Sequence, residues 1–350
     1  MVTQPQVRLD DPALRAWAVD SADFPVGDPL SEALRFCLRY AVLAPSGHNA
    51  QPWWFSIDGA SVTMGLDPSR GLAVVDPDDR EGLIGVGAAL FHFRVALAHF
   101  GFAAELSYWP DPHDPNACVR LDVVDQALAA TDLVGLFEAI PRRHTYRAAF
   151  SDQVLAASLI DTLITDADDE GATLHVALDY PTRRALAELV STADQKQMSD
   201  KRFRRELASW VRPFYSHRPD GIRGYGTELR ELMSVAAPLV LRTFDLGDGR
   251  AARDIELATH SPMLAVLSTA TDDRTAWLHA GQALARVLLR ATAANVVVGF
   301  LDQPVEVPEL RSQVALAVGA DDVPQLLLRF GYGMPGLPQP RRPVDDVLER

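Results

Sequence analysis

The sequence predicts an α+β fold made of two tandem helix-plus-strand units, the second interrupted by a long insertion. Three observations carry this. Asp273-Arg274 followed by Ala280-Gly281-Gln282-Ala283-Leu284 echoes Asp79-Arg80 followed by Val86-Gly87-Ala88-Ala89-Leu90, at a constant offset of 194 residues (273 − 79). Repetition at a fixed spacing is the mark of a repeated structural unit. A strand expected over 173–178 matches 53–57 at an offset of about 120, so the offset grows between Asp179 and Pro262 and an insertion sits there. Residues 80–100 are apolar nearly all round, which marks a buried central helix. Chance similarity of two Ala/Leu-rich helices is the competing explanation, and the matched Asp-Arg and Gly positions weigh against it.

In chain order, residues 1–27 carry Pro5, Pro12, Pro25 and Gly27 and suit an extended arm with one short helical turn. A helix starts near Pro29-Leu30-Ser31-Glu32, with Leu34, Leu38, Ala41 and Val42 at helical spacing. Pro45 ends it, because the residue before a proline avoids the helical region. The β-prone run 53–57 closes on Asp58-Gly59, a hairpin signal, and a second strand follows over 61–66. Asp76-Pro77-Asp78-Asp79 caps the long apolar helix, and strands near 103–109 and 118–124 complete the first unit. The second unit gives a helix over 152–165, a strand over 173–178, helical stretches within 182–211, a helix over 277–294 and a strand over 325–330. The loop 213–226 is rich in Pro, Gly, Tyr and Arg, and so long an excursion suits a lid or a binding loop. The expected division is an arm (1–27), a first half (28–135) and a second half (136–350), with the insertion at about 180–262.

Composition narrows the function. A chain of 350 residues can bury one large or two modest cores. Its net charge of −14 argues against nucleic acid or an anionic membrane as the main partner. Cys37 and Cys118 stand alone in apolar patterns without zinc spacing, which suits a reducing, cytoplasmic setting. No signal peptide is read at the N-terminus, and no uncharged apolar run reaches membrane-spanning length. The nine histidines contain no His-Glu-x-x-His, so no metal site is expected. Gly85-Val86-Gly87 imitates a dinucleotide fingerprint but falls inside a helix, and Ser46 is not in a Gly-x-Ser-x-Gly elbow. No catalytic acid or base is assigned.

The stretch that organises the chain is Ala44-Pro45-Ser46-Gly47-His48-Asn49-Ala50-Gln51-Pro52-Trp53-Trp54-Phe55, a loop between helix and strand. Ser46, Gly47 and Asn49 tolerate unusual dihedrals and offer polar groups to whatever lies above them. A capped helix end with aromatic core residues behind it is the plainer reading. The spelling Pro-Ser-x-x-Asn-x-Gln-Pro-Trp resembles the N-terminal motif of the flavin-dependent nitroreductases, closest to the Acg-type branch. That resemblance implies a nitroreductase-like fold in which Pro45, Ser46, Gly47 and Asn49 pack against the isoalloxazine of FMN. The family normally has Ser where this chain has Gly47, which removes one hydroxyl.

Three later segments fit the same resemblance. Arg142-Arg143-His144-Thr145-Tyr146-Arg147 concentrates cations in an acidic chain, and guanidinium groups grip phosphate bidentately. It also suits a solvated linker. It resembles the family segment that binds FMN, which implies Arg143 and Thr145 at the phosphate or ribityl chain, His144 nearby and Arg147 near the pyrimidine edge. Gln303-Pro304-Val305-Glu306 resembles the family's Pro-Ile-Glu turn, which implies backbone amides of Glu306 and Val307 near flavin N5; an ordinary proline-flanked helix start would look similar. Arg341-Arg342 resembles the terminal basic pair that returns to the phosphate, although a frayed tail is equally compatible.

The first motif lies in one half and the others lie in the second, so the resemblance implies a single-chain, monomeric pseudo-dimer with one FMN per chain. It further implies NAD(P)H as reductant and a nitroaromatic or quinone-like acceptor. The rival expectation is a flavin-sequestering or storage protein, closed by the insertion and without turnover.

Overall fold

The computed structural model describes residues 11–125, 131–213, 216–223, 247–334 and 336–349. Part of the loop 213–226 therefore lies outside the described residues. The first sheet contains β1 (Trp53–Asp58), β2 (Ser61–Leu66), β3 (Phe102–Tyr108) and β4 (Ala117–Asp125), in the order β1-β2-β4-β3. The second four-stranded sheet contains β5 (Thr173–Ala177), β8 (Met263–Thr269), β9 (Val297–Phe300) and β10 (Val323–Gly331), in the order β5-β8-β10-β9. The two sheets thus share one strand order, and every pairing in them is antiparallel. Short β6 (Val211–Arg212) and β7 (Ile222–Arg223) pair in parallel apart from the two sheets.

The helices are α1 (Leu30–Ala41), α2 (Arg80–His99), α3 (Thr131–Val134), α4 (Ala157–Asp168), α5 (Tyr180–Ser199), α6 (Lys201–Trp210), α7 (Gly247–Thr259), α8 (Arg274–Ala293), α9 (Gln303–Glu306) and α10 (Pro308–Val318). The Gly59 turn, at φ 58°, makes the tight β1–β2 hairpin, in which Asp58 pairs with Ser61. Residues 11–27 hold two 3₁₀ turns, Pro12–Trp17 and Ser21–Asp23, both capped by aspartate side chains.

Helix α2 is long and apolar enough to cross a membrane by length and composition, but it is a core helix, buried on nearly every side. It packs on α8 between the two sheets. A Cβ on Gly87 would lie 2.2 Å from the Leu278 carbonyl oxygen, and one on Gly281 would lie 2.1 Å from that of Ile84. Only glycine permits so close a backbone approach. The offset of 194 relates both the two glycines and the two carbonyls (281 − 87 and 278 − 84).

Three local expectations are corrected and one is located. Helix α1 stops at Ala41, and a turn over 42–44 separates it from Pro45. The expected cap over 76–79 is present, with Asp76 accepting from the Gly82 amide at 2.9 Å, while Asp79 has a left-handed backbone and makes no side-chain cap. The helix expected over 152–165 runs from Ala157 to Asp168. Strands β8 and β9 had no counterpart in the sequence reading, and β8 is buried along its whole length, so no polar alternation betrays it.

The tail leaves the second sheet and ends on the first. The Phe55 amide donates to the Val347 carbonyl at 2.8 Å, and the Glu349 amide donates to the Phe55 carbonyl at 2.8 Å. On its way the tail crosses the segment 143–145, where a Cβ on Gly336 would meet the Thr145 carbonyl oxygen at 2.9 Å.

Candidate functional site

The corner 45–51 is conformationally expensive. His48, Asn49 and Gln51 have φ of 50°, 55° and 54°, and each such non-glycine residue costs on the order of 1–3 kcal/mol unless its surroundings impose it. Local bonds impose it here. The Gln51 amide donates to Ser46 Oγ at 2.9 Å, and the Asn49 and Ala50 amides donate to the Ser46 and Gly47 carbonyls at 3.0 and 2.9 Å.

Cations gather on one side of the corner. The turn after α1 leaves the Leu43 carbonyl oxygen pointing away from the helix end, where partial negative charge collects. Arg143 Nη2 donates to it at 3.2 Å and Arg341 Nη2 at 3.4 Å. Arg341 Nη1 also donates to Asn49 Oδ1 at 2.8 Å, and its guanidinium lies 5.2 Å from the Trp17 ring centre. Trp17 meets His144 edge-on at 4.7 Å. Arg143 is 3% exposed and its Nε has no hydrogen-bond partner. Among the described residues no carboxylate lies within ion-pair distance of Arg143. Burial and then Arg147 lower its pKa to about 10, so it stays charged at neutral pH. His144 and His92 are pushed down to about 3, first by burial and then by Arg143, so both imidazoles are neutral.

Carboxyl groups gather on the other side. A Cβ on Gly47 would lie 2.9 Å from Glu81 Oε2. Glu81 is buried and pairs with Arg80 at 3.1 Å. Burial, Glu306, Asp76 and Asp302 outweigh that one guanidinium and hold the Glu81 carboxyl well above its ordinary pKa. Burial, with Glu306 beside it, raises Asp302 to about 8. The Pro304–Val307 turn therefore reaches the Gly47 corner through this acidic cluster. The Glu306 amide is already engaged, donating to the Asp302 carbonyl at 3.0 Å.

Residues 219–221 pack on the same corner. Asn49 Nδ2 donates to the Gly221 carbonyl at 3.0 Å and to the Pro340 carbonyl at 2.9 Å, while the Gly221 amide donates to the Asn49 carbonyl at 3.2 Å. Gln51 Nε2 donates to the Pro219 carbonyl at 2.8 Å.

The structure thus brings Asn49, Arg143, His144 and Arg341 into one cluster, with Gly47 facing Glu81 and Ser46 facing Gly85 of α2. Other expected residues stand apart. Thr145 bridges to Val298. Arg147 is half-buried, and its carbonyl accepts from Arg253 at 3.3 Å. Pro304 is buried, and Val307 packs with Ala193 and Leu310. Arg342 serves the tail: its amide donates to Gln51 Oε1 at 2.7 Å, and it lines a separate cavity of about 420 Å³ beside Trp54 and Asp114. Trp17, His92, Glu81 and Asp302 were not singled out from the sequence. Trp17 and His92 meet partners 322 and 52 residues away, whereas Glu81 and Asp302 face Arg80 and Glu306 close by in the chain, and it is their burial that the local pattern does not reveal.

A deeply buried guanidinium, with no carboxylate in ion-pair reach among the described residues, beside neutral imidazoles and a second arginine forms a cationic cluster in a two-sheet α+β protein. The chain is 33% identical over 327 residues to "Putative NAD(P)H nitroreductase Rv3131" of Mycobacterium tuberculosis, covering 92% of both chains. It is 30% identical over 335 residues to "Putative NAD(P)H nitroreductase acg" of the same organism, covering 91% of this chain and 96% of the relative. The chain belongs to this Acg-type nitroreductase family. "Probable NAD(P)H nitroreductase PigM" of a Serratia strain is 23% identical over 340 residues, covering 92% of this chain and 95% of that one. No family model matches the chain. Among solved structures, an FMN- and NADPH-dependent nitroreductase, NfnB, of a Sphigopyxis strain superimposes with a TM-score of 0.43 at 17% identity, over 61% of this chain and 98% of that one.

Proposed function

We propose that the chain is an FMN-binding oxidoreductase of the nitroreductase type, using NAD(P)H to reduce a nitroaromatic or quinone-like acceptor. The observation that carries this reading is Arg143, a buried charge with an unused Nε, held beside Arg341 and Asn49 in a family member. Leaving such a donor without a partner costs about 1–3 kcal/mol, and a charge-assisted bond to a phosphate oxygen would remove that cost. The residues therefore fit a cofactor that carries a phosphate. In this reading residues 28–135 and 136–350 act as two halves of one pseudo-dimer, with one FMN at their seam and the insertion at about 180–262 as lid.

Arg143 and Arg341 hold the phosphate, with His144 beside them. The Pro45–Asn49 corner supports the ring system, and its imposed backbone keeps that support rigid. FMN, when bound, supplies the chemistry of accepting a nicotinamide hydride and returning two electrons to an acceptor. On the far side burial and neighbouring carboxyls raise Glu81 well above its ordinary range and Asp302 to about 8, which lowers the negative charge facing an electron-rich ring. The 219–223 stretch excludes water above the corner.

The reciprocal Asn49–Gly221 bonds favour a second reading, a flavin-sequestering protein whose lid excludes nicotinamide. Anaerobic titration of the purified yellow protein with NADPH and NADH separates the two. Bleaching of the flavin band supports the oxidoreductase, a band that stays oxidised supports sequestration, and a colourless chain that takes up no added FMN overturns both.

A further inference from the structure

The insertion carries a second cationic feature that the flavin pocket does not use. A hollow of about 580 Å³ opens between Gly71 and Val74 of the first half and the α6–β6 stretch of the insertion, lined by Trp210, Arg202, Arg205, Arg212 and Arg218. Its volume lies within the range of small-ligand sites. Such a concentration of arginine is unexpected in a chain of net charge −14.

The acidic groups nearby are already occupied. The Glu206 carboxylate accepts from the Val74 and Val75 amides at 2.9 and 3.0 Å. Asp220, itself buried, is shared by Arg70 at 2.8 Å, Arg212 at 3.1 Å and Arg218 at 3.2 Å, so one carboxylate faces three guanidinium groups. Among the described residues Arg205 has no carboxylate within ion-pair distance. The Trp210 ring is held by two guanidinium planes, Arg70 at 5.6 Å and Arg212 at 5.7 Å from its centre. An aromatic face fixed by flanking arginines is a platform on which a purine stacks, and a fork of free N–H groups matches a phosphate monoester. The hollow is also coupled to the flavin corner, because Arg70 Nε donates to the Ala50 carbonyl, the residue after Asn49.

We propose that this hollow receives the adenosine 2′-phosphate end of NADPH, with the purine on Trp210 and the phosphate on Arg205, since Arg202 is already held by Asp200 at 3.1 Å. The assignment rests on the oxidoreductase reading for its biological sense but not for its test. It makes the chain selective for NADPH over NADH.

The test is calorimetric titration of the full purified chain with 2′,5′-ADP, 5′-AMP and inorganic phosphate, none of which requires flavin turnover. The expected result is saturable binding of 2′,5′-ADP at least tenfold tighter than either comparator, reduced at least tenfold by Arg205→Glu. Arg184→Glu, on the exposed face of α5, should leave that affinity unchanged. Should Arg205→Glu lose its native circular dichroism, Arg205→Gln, which removes the charge without reversing it, replaces it. Equal affinity for 2′,5′-ADP and 5′-AMP, binding of phosphate alone, or indifference to the Arg205 substitution would overturn the proposal. A flavin that bleaches equally with both nicotinamides, with no 2′,5′-ADP binding, would sink the hollow and leave the oxidoreductase standing; tight 2′,5′-ADP binding with no bleaching would do the reverse.

Discussion

On one side of the Pro45–Gln51 corner burial strips protons from imidazoles; on the other it keeps them on carboxyls. Both effects are the same desolvation, which favours whichever form is neutral. The outcome differs because of what stands beside each group. His144 and His92 lose their charge next to Arg143, whose own pKa falls only to about 10 and leaves it cationic. Glu81 and Asp302 crowd other carboxyls and have Arg80 as counter-charge. Burial therefore silences the weak acids and bases and leaves the arginines as the surviving charge. A seam made of equal numbers of ionisable groups can be net positive for that reason alone.

The largest expected effect breaks the cationic side. Arg143→Ala should weaken FMN binding by about 1.5–3 kcal/mol, typical of a charge-assisted bond, read by quenching of flavin fluorescence. Unchanged affinity would remove Arg143 from the pocket.

Next come two pH slopes of opposite sign. His144 is shifted down to about 3 from 6.5, so the unfolded chain binds more protons between those values. Its contribution is complete above pH 6.5 and is lost as pH falls, by up to about 1.4 kcal/mol per pH unit. His144→Gln should flatten urea-denaturation stability between pH 6.5 and 4.5. Asp302 is shifted up to about 8 from 3.8, so the folded chain holds the extra proton. Its contribution is present at pH 4 and is lost as pH rises toward 8, and Asp302→Asn should gain stability relative to the native chain across that window. Parallel slopes in the two variants would erase the contrast between the clusters.

The smallest effect lies where the two sides meet. Gly47→Ser would place its Cβ 2.9 Å from Glu81 Oε2 and 3.2 Å from Leu72 Cδ1. Overpacking of this kind costs about 1 kcal/mol where a flexible side chain can give way. A loss above about 3 kcal/mol in denaturant midpoint analysis would mean that the Glu81 carboxyl cannot move.

Much of the fold was legible because it is periodic. The 53–58 and 61–66 strands, the central helix and its echo each carry their own signal, whether alternation, a turn dipeptide or an apolar face. The acidic cluster was not legible. Asp76, Glu81, Asp302 and Glu306 look like solvated residues at two helix starts, and only tertiary packing turns them inward. Likewise Arg341 and Arg342 are chemically identical neighbours. The tail's path puts one against Asn49 and Trp17 and the other against Gln51 and a surface cavity. Sequence gives the donors, but the direction each side chain takes depends on a chain crossing near Gly336.

The close crossing at Gly87 and Gly281 bears on all of this. With each glycine seated on the opposite helix's carbonyl, neither helix can slide by a turn without driving a side chain into main chain. The two sheets are therefore locked at a single relative offset, as two gears are by one meshed tooth. Spacing across the seam, from Leu43 to Arg143 or from Gly47 to the Pro304 turn, is then set once at that contact and not by the loops that carry the residues. Enlarging either glycine should be felt first as a change in those spacings, some distance from the substitution itself.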